Sequence, residues 1–353
     1  MSMPFAARTL KPVSVVLLCV LSSCTIFAGS ERQAAPATYT NPIITPVAAD
    51  PTIIRGKDGT FYLYATNDDW GDGAGLRVMP IFSSKDLVTW HFEGTVFDKK
   101  PTWKSAGGLW APDVSYRDGR YYLYYSYSAW GDSNACIGLA TAENPLGPWS
   151  DLGRAVFCSD EIGVENSIDP FAWHGEEGTT LIWGSFHGIY AVLLDEEGVQ
   201  AVGEPVLIAD ERFEAAYVHK RGDHYYLFVS AGTCCAGAES TYRVYVGRSE
   251  NLTGPYVDAE GKDLREGGGT LILARTDEWA GPGHNTIVTD DAGADWILYH
   301  AIPDADPRLP SGAPHRPAML DRIHWEDGWP VVRGRAPSST PQPAPTIRSI
   351  PAK

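Results

Sequence analysis

The stretch "WAPDVSYRDGRYYLYYS", residues 110–126, reads as a strand, a tight turn and a second strand. Asp118-Gly119 supplies the positive φ that a two-residue hairpin demands, and the run behind it is rich in β-forming aromatics. The same phrase recurs along the chain. Second strands are "DGTFYLYAT" at 58, "GTTLIWGS" at 178, "GDHYYLFVS" at 222 and "ADWILYHA" at 294. Ahead of each stands a shorter strand: "DPTII" from Asp50, "DPFAW" from Asp169, "EAAYV" from Glu214 and "HNTIV" from His284. Five units roughly 45–70 residues apart, built from short hairpins, predict an all-β fold, a five-bladed β-propeller.

In a propeller the first strand of every blade lines the central channel, so residues at its start converge on one face. The spacing puts Asp50, Trp110, Asp169, Glu214 and His284 at these heads. Taken singly each is a turn residue. Together they set three carboxylates, an indole and an imidazole around one axis, which packing alone does not require. Clustered carboxylates suit glycoside hydrolysis: one carboxylic acid protonates a leaving oxygen and another carboxylate activates water. A third raises the pKa of the acid by like-charge repulsion. Trp110 offers a flat face on which a sugar stacks, and His284 can hold a cation or a carboxylate.

Composition narrows the rest. Lys+Arg 28 against Asp+Glu 44 gives a net charge of −16, which argues against a nucleic-acid partner. Arg8 and Lys11 precede the apolar run "VSVVLLCVL", too short to span a membrane, and "LSSC" ends in a lipobox-like Cys24. Residues 1–23 are therefore expected to be a lipoprotein signal peptide, with export to the outer membrane, periplasm or cell surface and a lipid anchor on Cys24 as the sole membrane attachment; an ordinary signal peptide cleaved nearby, giving a secreted protein, is the alternative. Residues 24–38 read as a flexible tether, 39–333 as the catalytic propeller and 334–353 as a Pro/Ser-rich disordered tail. Four cysteines remain; Cys136 can bridge Cys158, whereas adjacent Cys234 and Cys235 would need a strained eight-membered ring. None has metal spacing. Asp113 stands three places beyond a head and reads as a hydrogen-bonding residue, and His300, His315 and His324 read as core or surface histidines.

The segments "ADPTII", "LWAPDVSYRDGRYYLYYS", "NSIDPFAW", "RFEAAYV", "AGTCCAGAESTYRVYVGRS" and "GPGHNTIV" resemble glycoside hydrolase family 43, and within it the endo-1,5-α-L-arabinanases, over about Asn41–Val332. That resemblance implies inverting hydrolysis of α-1,5-linked arabinan or arabino-oligosaccharides such as pectin side chains, by a monomer, in endo mode. It casts Asp50 as general base, Asp169 as the aspartate that tunes the acid, and Glu214 as general acid. It further casts Trp110, Asn166, Ser185 and Phe186 as substrate contacts, and His284 as the holder of a calcium ion with water. An exo-acting relative or β-xylosidase, or an inactive arabinan-binding lipoprotein, is the alternative. Ala49, Ala216 and His187 depart from the family pattern at places that set substrate preference.

Overall fold

The computed structural model describes Met1, Ser2 and residues 37–348. Residues 3–23 of the expected signal peptide, Cys24 and nearly all of the tether lie outside the described residues. The described residues build five antiparallel blade sheets, each with four strands that follow one another in sequence order; the second blade gains a fifth short strand, Phe157–Cys158, paired with its third. Blade 1 comprises Thr52–Arg55, Phe61–Tyr64, Pro80–Ser84 and Trp90–Thr95. Blade 2 comprises Gly108–Arg117, Arg120–Ser128, Cys136–Ala142 and Ser150–Asp151. Blade 3 comprises Phe171–Gly175, Gly178–Trp183, Ile189–Leu194 and Ala201–Ala209. Blade 4 comprises Phe213–Arg221, His224–Ala231, Arg243–Ser249 and Thr270–Leu273. Blade 5 comprises Trp279–Thr289, Asp295–Pro303, Ala318–Glu326 and Trp329–Val332. The expected five-bladed propeller is the fold. At the founding hairpin Asp118 and Gly119 both have positive φ, 50° and 87°, as a two-residue turn of the primed type needs.

Burial explains the ring. Among the described residues five large apolar clusters each lie between two neighbouring blades. Tyr64 and Leu109 mark blades 1 and 2, Leu139 and Leu181 blades 2 and 3, and Ile182 and Leu227 blades 3 and 4. Phe228 with Ile297 marks blades 4 and 5, and Phe61 with Leu298 closes blade 5 onto blade 1. A sheet has two faces, and here both are covered by the neighbouring blades, so each fully buried aromatic or leucine adds about 1.5–3 kcal/mol.

The tail departs from expectation. Proline and serine content reads as disorder over 334–353, yet residues 334–348 are ordered. Gln342–Pro343 pairs with Thr38–Tyr39, Ala344 and Ile347 pack on the closing cluster, and Asp290 accepts from the Thr346 N–H. The segment finds a strand partner and further backbone partners across the chain, an advantage that composition does not register. Both free cysteine pairs are bonded: Cys136–Cys158 across adjacent strands and Cys234–Cys235 between neighbours.

Candidate active site

Each inner strand begins with a kink. Asp50, Ala111, Asp169, Ala215 and His284 have left-handed φ values of 52°, 44°, 58°, 56° and 51°. This conformation costs a non-glycine residue on the order of 1 kcal/mol or more, and Asp and His tolerate it better than most. The backbone therefore refines the sequence register: Trp110 and Glu214 stand one residue before the kink, not on it. Ladder pairing breaks at the kinks of blades 2, 4 and 5, leaving the N–H of the kinked residue in need of a partner.

The preceding blade supplies it. Ala111 N–H donates to Thr66 Oγ1 at 2.9 Å, Asp169 N–H to Ser126 Oγ at 2.8 Å, and His284 N–H to Ser230 Oγ at 3.0 Å. Asp50 N–H donates to His300 Nδ1 at 3.2 Å, which leaves the imidazole proton on a buried, unpartnered Nε2. These caps occupy one position. The registers Thr52↔Tyr64, Asp113↔Tyr124, Tyr217↔Phe228 and Thr286↔Leu298 place it two residues further along each second strand. In blade 3, from Phe171↔Ile182, the same place holds Gly184. Gly184 has no side chain, and a Cβ there would lie 2.1 Å from the Gly188 carbonyl oxygen. The Ala215 N–H is capped instead by Asp169 Oδ2 at 3.2 Å. At one junction of five, a carboxylate has replaced a neutral cap.

All eight expected site residues, Asp50, Trp110, Asn166, Asp169, Ser185, Phe186, Glu214 and His284, line one cavity of about 1240 Å³. That exceeds a typical small-molecule pocket of roughly 300–1,000 Å³ and suits an oligomeric ligand. Asp50, Asp169 and Glu214 are 6–8% exposed. Burial would raise the pKa of each, but their partners differ. Arg316 Nη1 meets both oxygens of Asp50 at 3.0 and 3.1 Å, and Thr66 Oγ1 donates to it at 2.6 Å. Desolvation is the largest single influence on Asp50, but Arg316, His284 and His300 together outweigh it and hold the carboxyl well below the usual carboxylate range. Glu214 has no such counter-ion; burial pushes it up to about 7, while the Ser185 hydroxyl donates to Oε2 at 2.6 Å. Asp169, buried beside the charges of Glu214 and Asp50, is also pushed well up. Asp169 and Glu214 titrate as a pair that retains a proton where Asp50 has none.

The remaining residues sort by what they touch. Trp110 lies 5.9 Å, centroid to centroid, from Trp130, whose ring is 81% exposed at the cavity rim. Asn166 donates to the Ser185 carbonyl oxygen at 3.1 Å, and Phe186 is half-exposed over the cavity. Ser185, expected to touch substrate, directs its hydroxyl at Glu214. Asp113 is absent from this cavity; it accepts from Thr52 and Ala172 at the other end of the channel, where burial raises it to about 7. Sequence reasoning missed Arg316, His300 and the caps. Thr66, Ser126 and Ser230 close the quoted second strands, a repeat that was readable; Arg316 lies 266 residues from Asp50 and left no periodic trace.

Neighbouring carboxylates held in opposite protonation states inside one sugar-sized cavity are the apparatus of glycoside hydrolysis. The family model "Glycosyl hydrolases family 43" matches residues 39–330. The chain belongs to glycoside hydrolase family 43. It is 34% identical over 313 residues to an extracellular exo-α-(1→5)-L-arabinofuranosidase of Cellvibrio japonicus, covering 80% of this chain and 85% of that one. It is likewise 34% identical over 295 residues to an extracellular endo-α-(1→5)-L-arabinanase of Bacillus subtilis, covering 80% and 86%. Among solved structures, an α-L-arabinanase of Cellvibrio cellulosa complexed with arabinohexaose superposes with a TM-score of 0.71 at 33% identity, covering 81% of this chain and 95% of that one.

A cation was expected at His284. The imidazole is largely but not fully buried, its pKa pushed down to about 4 by desolvation, so a ring nitrogen is free of protons at neutral pH; Nδ1 lies 3.4 Å from Asp50 Oδ1. Yet no three His, Cys, Asp or Glu side chains gather as a ligand set among the described residues. Calcium takes six to eight oxygens. These residues offer one nitrogen, so they do not form a protein cage for calcium, and no chemical step is assigned to a metal.

Proposed function

We propose that this family 43 enzyme hydrolyses α-1,5-linked L-arabinan with inversion, in endo mode. The observation that carries the reading is the contrast between Asp50, paired with Arg316, and Glu214, buried without a counter-ion. Asp50 takes a proton from the water that attacks the anomeric carbon. Glu214 gives its proton to the departing glycosidic oxygen, so the sugar leaves as a neutral alcohol. Asp169 orients the backbone behind Glu214 and keeps the pair protonated. Trp110, Phe186 and Asn166 face the space in which the sugars would lie, and Ser185 steadies the acid. His284 is the one side chain here that would hold a hydrated cation; added chelator should then lower the melting temperature as well as activity.

The equal identity to an exo-acting relative supports a second reading, exo attack, with the same residues. The curated relatives are extracellular, which supports export of this chain; the lipid anchor on Cys24 rests on "LSSC" alone. Incubation with linear arabinan and separation of early products tests the proposal. A ladder of oligomers is expected; a single short product would replace endo with exo, and no new reducing ends would overturn hydrolysis.

A further inference from the structure

The segment between the second and third strands of blade 4 carries chemistry that the reaction above does not use. It runs from Gly232 to Tyr242, and Gly232, Thr233 and the bonded pair Cys234–Cys235 line the catalytic cavity. The segment is clamped. Thr233 O accepts from Thr241 N–H at 3.1 Å and Tyr242 N–H at 3.2 Å. Ala236 N–H donates to Ser240 Oγ at 3.0 Å, and Arg275 Nη1 donates to Ala238 O at 3.1 Å. A Cβ at Gly232 would fall 2.6 Å from Thr241 O, so the two limbs of the loop touch.

What the clamp holds is Tyr242. Its ring is buried, stacked at 15° on His300, the cap of Asp50, and packed where a Cβ on Gly283 would lie 2.1 Å away. Its hydroxyl faces Glu214 and meets no partner at full hydrogen-bonding geometry. A buried hydroxyl left unpaired is costly, and catalytic hydrogen bonds commonly tighten only with substrate in place.

We propose that the Cys234–Cys235 bridge and Tyr242 form one positioning unit for Glu214: the bridge stiffens the loop, Thr233 ties the loop to Tyr242, and the Tyr242 hydroxyl aims the carboxyl at the leaving oxygen. This rests on Glu214 being the general acid. A dithiol undoes the unit by breaking the sulfur–sulfur bond: two electrons and two protons pass to Cys234 and Cys235, and the reagent closes to its own cyclic disulfide.

The test compares two substrates in the full chain carrying Cys234→Ser with Cys235→Ser, in Tyr242→Phe, and in wild type treated with dithiothreitol. In the treated wild type, mass mapping confirms that Cys136–Cys158 is intact. An unsubstituted arabino-oligosaccharide needs its leaving oxygen protonated; the same oligosaccharide with a nitrophenyl leaving group does not. Turnover of the first should fall about tenfold in each case, part of the 10²–10⁴ that a general acid supplies, with turnover of the second nearly unchanged. Unaltered turnover of both would overturn the proposal, as would an equal loss on both, which a merely structural wall would give. Wild type inactive on arabinan takes down the proposed function along with this inference. Wild type active on arabinan but indifferent to the bridge and to Tyr242 takes down this inference alone.

Discussion

Two kinds of blade junction share this molecule. At four of them the left-handed kink that opens a blade is capped by a neutral side chain of the preceding one: His300, Thr66, Ser126 or Ser230. At the junction of blades 3 and 4 the capping place is Gly184, and the Asp169 carboxylate takes over. The neutral caps satisfy a backbone donor and stop there. Asp169 satisfies the donor and also sets a charge beside Glu214, so one hydrogen bond ties the placement of the acid to its ionisation. A repeat used four times for structure is altered once, where chemistry requires a proton to be held.

The comparison breaks most visibly at the carboxylates. Glu214→Ala or Asp50→Ala should lower kcat on linear arabinan by about 10²–10⁴-fold with the fold retained, Asp50→Ala at a lower Tm because it leaves Arg316 buried and unpaired; near wild-type turnover would remove that residue from the reaction. Asp169→Ala, which loses cap and charge together, should cost about 10-fold or more in kcat and also lower Tm. Ser230→Ala loses only a neutral cap, the partner of the His284 N–H. It should cost about 1–3 kcal/mol, seen as a Tm lower by a few degrees with turnover nearly kept. If Ser230→Ala lowers turnover as much as Asp169→Ala does, the junctions are not of two kinds.

The smallest effect lies at the far end of the channel. Asp113 is raised in the folded state to about 7, above its unfolded value near 3.9, because it is buried there without a counter-ion. The folded protein therefore binds the extra proton, and stability from this group is present at low pH and lost as pH rises from about 4 towards 7. Asp113→Asn, a neutral mimic, should flatten the fall in Tm between pH 5 and pH 8; an unchanged slope would show that Asp113 ionises freely.

Much of this was legible in the chain. Strand–turn–strand phrases such as "DGRYYLYYS" announced blades because Asp-Gly turns and aromatic strands are local signals. The heads followed because a repeat carries its register with it. The one-residue offset of Trp110 and Glu214 escaped, since a kink adds a residue without altering composition. Arg316 and Tyr242 escaped for a different reason. Arg316 meets Asp50 only after the last blade closes on the first, Tyr242 reaches Glu214 only through a folded-back loop of the same blade, and a lone arginine or a loop tyrosine is an ordinary residue until its neighbours are known. The ordered tail was hidden by its prolines, whose effect on order depends on whether a partner strand and an apolar surface await them.

The pH dependence of kcat/KM for Asp169→Asn tests the two-junction account most directly. Asparagine keeps an oxygen for the Ala215 N–H and removes the charge, so it parts the cap from the ionisation. In wild type the alkaline limb reports loss of the proton held by Asp169 and Glu214, near pH 7 for Glu214. In Asp169→Asn the limb should move to lower pH without reaching the range of a solvated glutamate, because Glu214 stays buried. A limb that does not move would contradict the account and leave Asp169 as a cap like the other four.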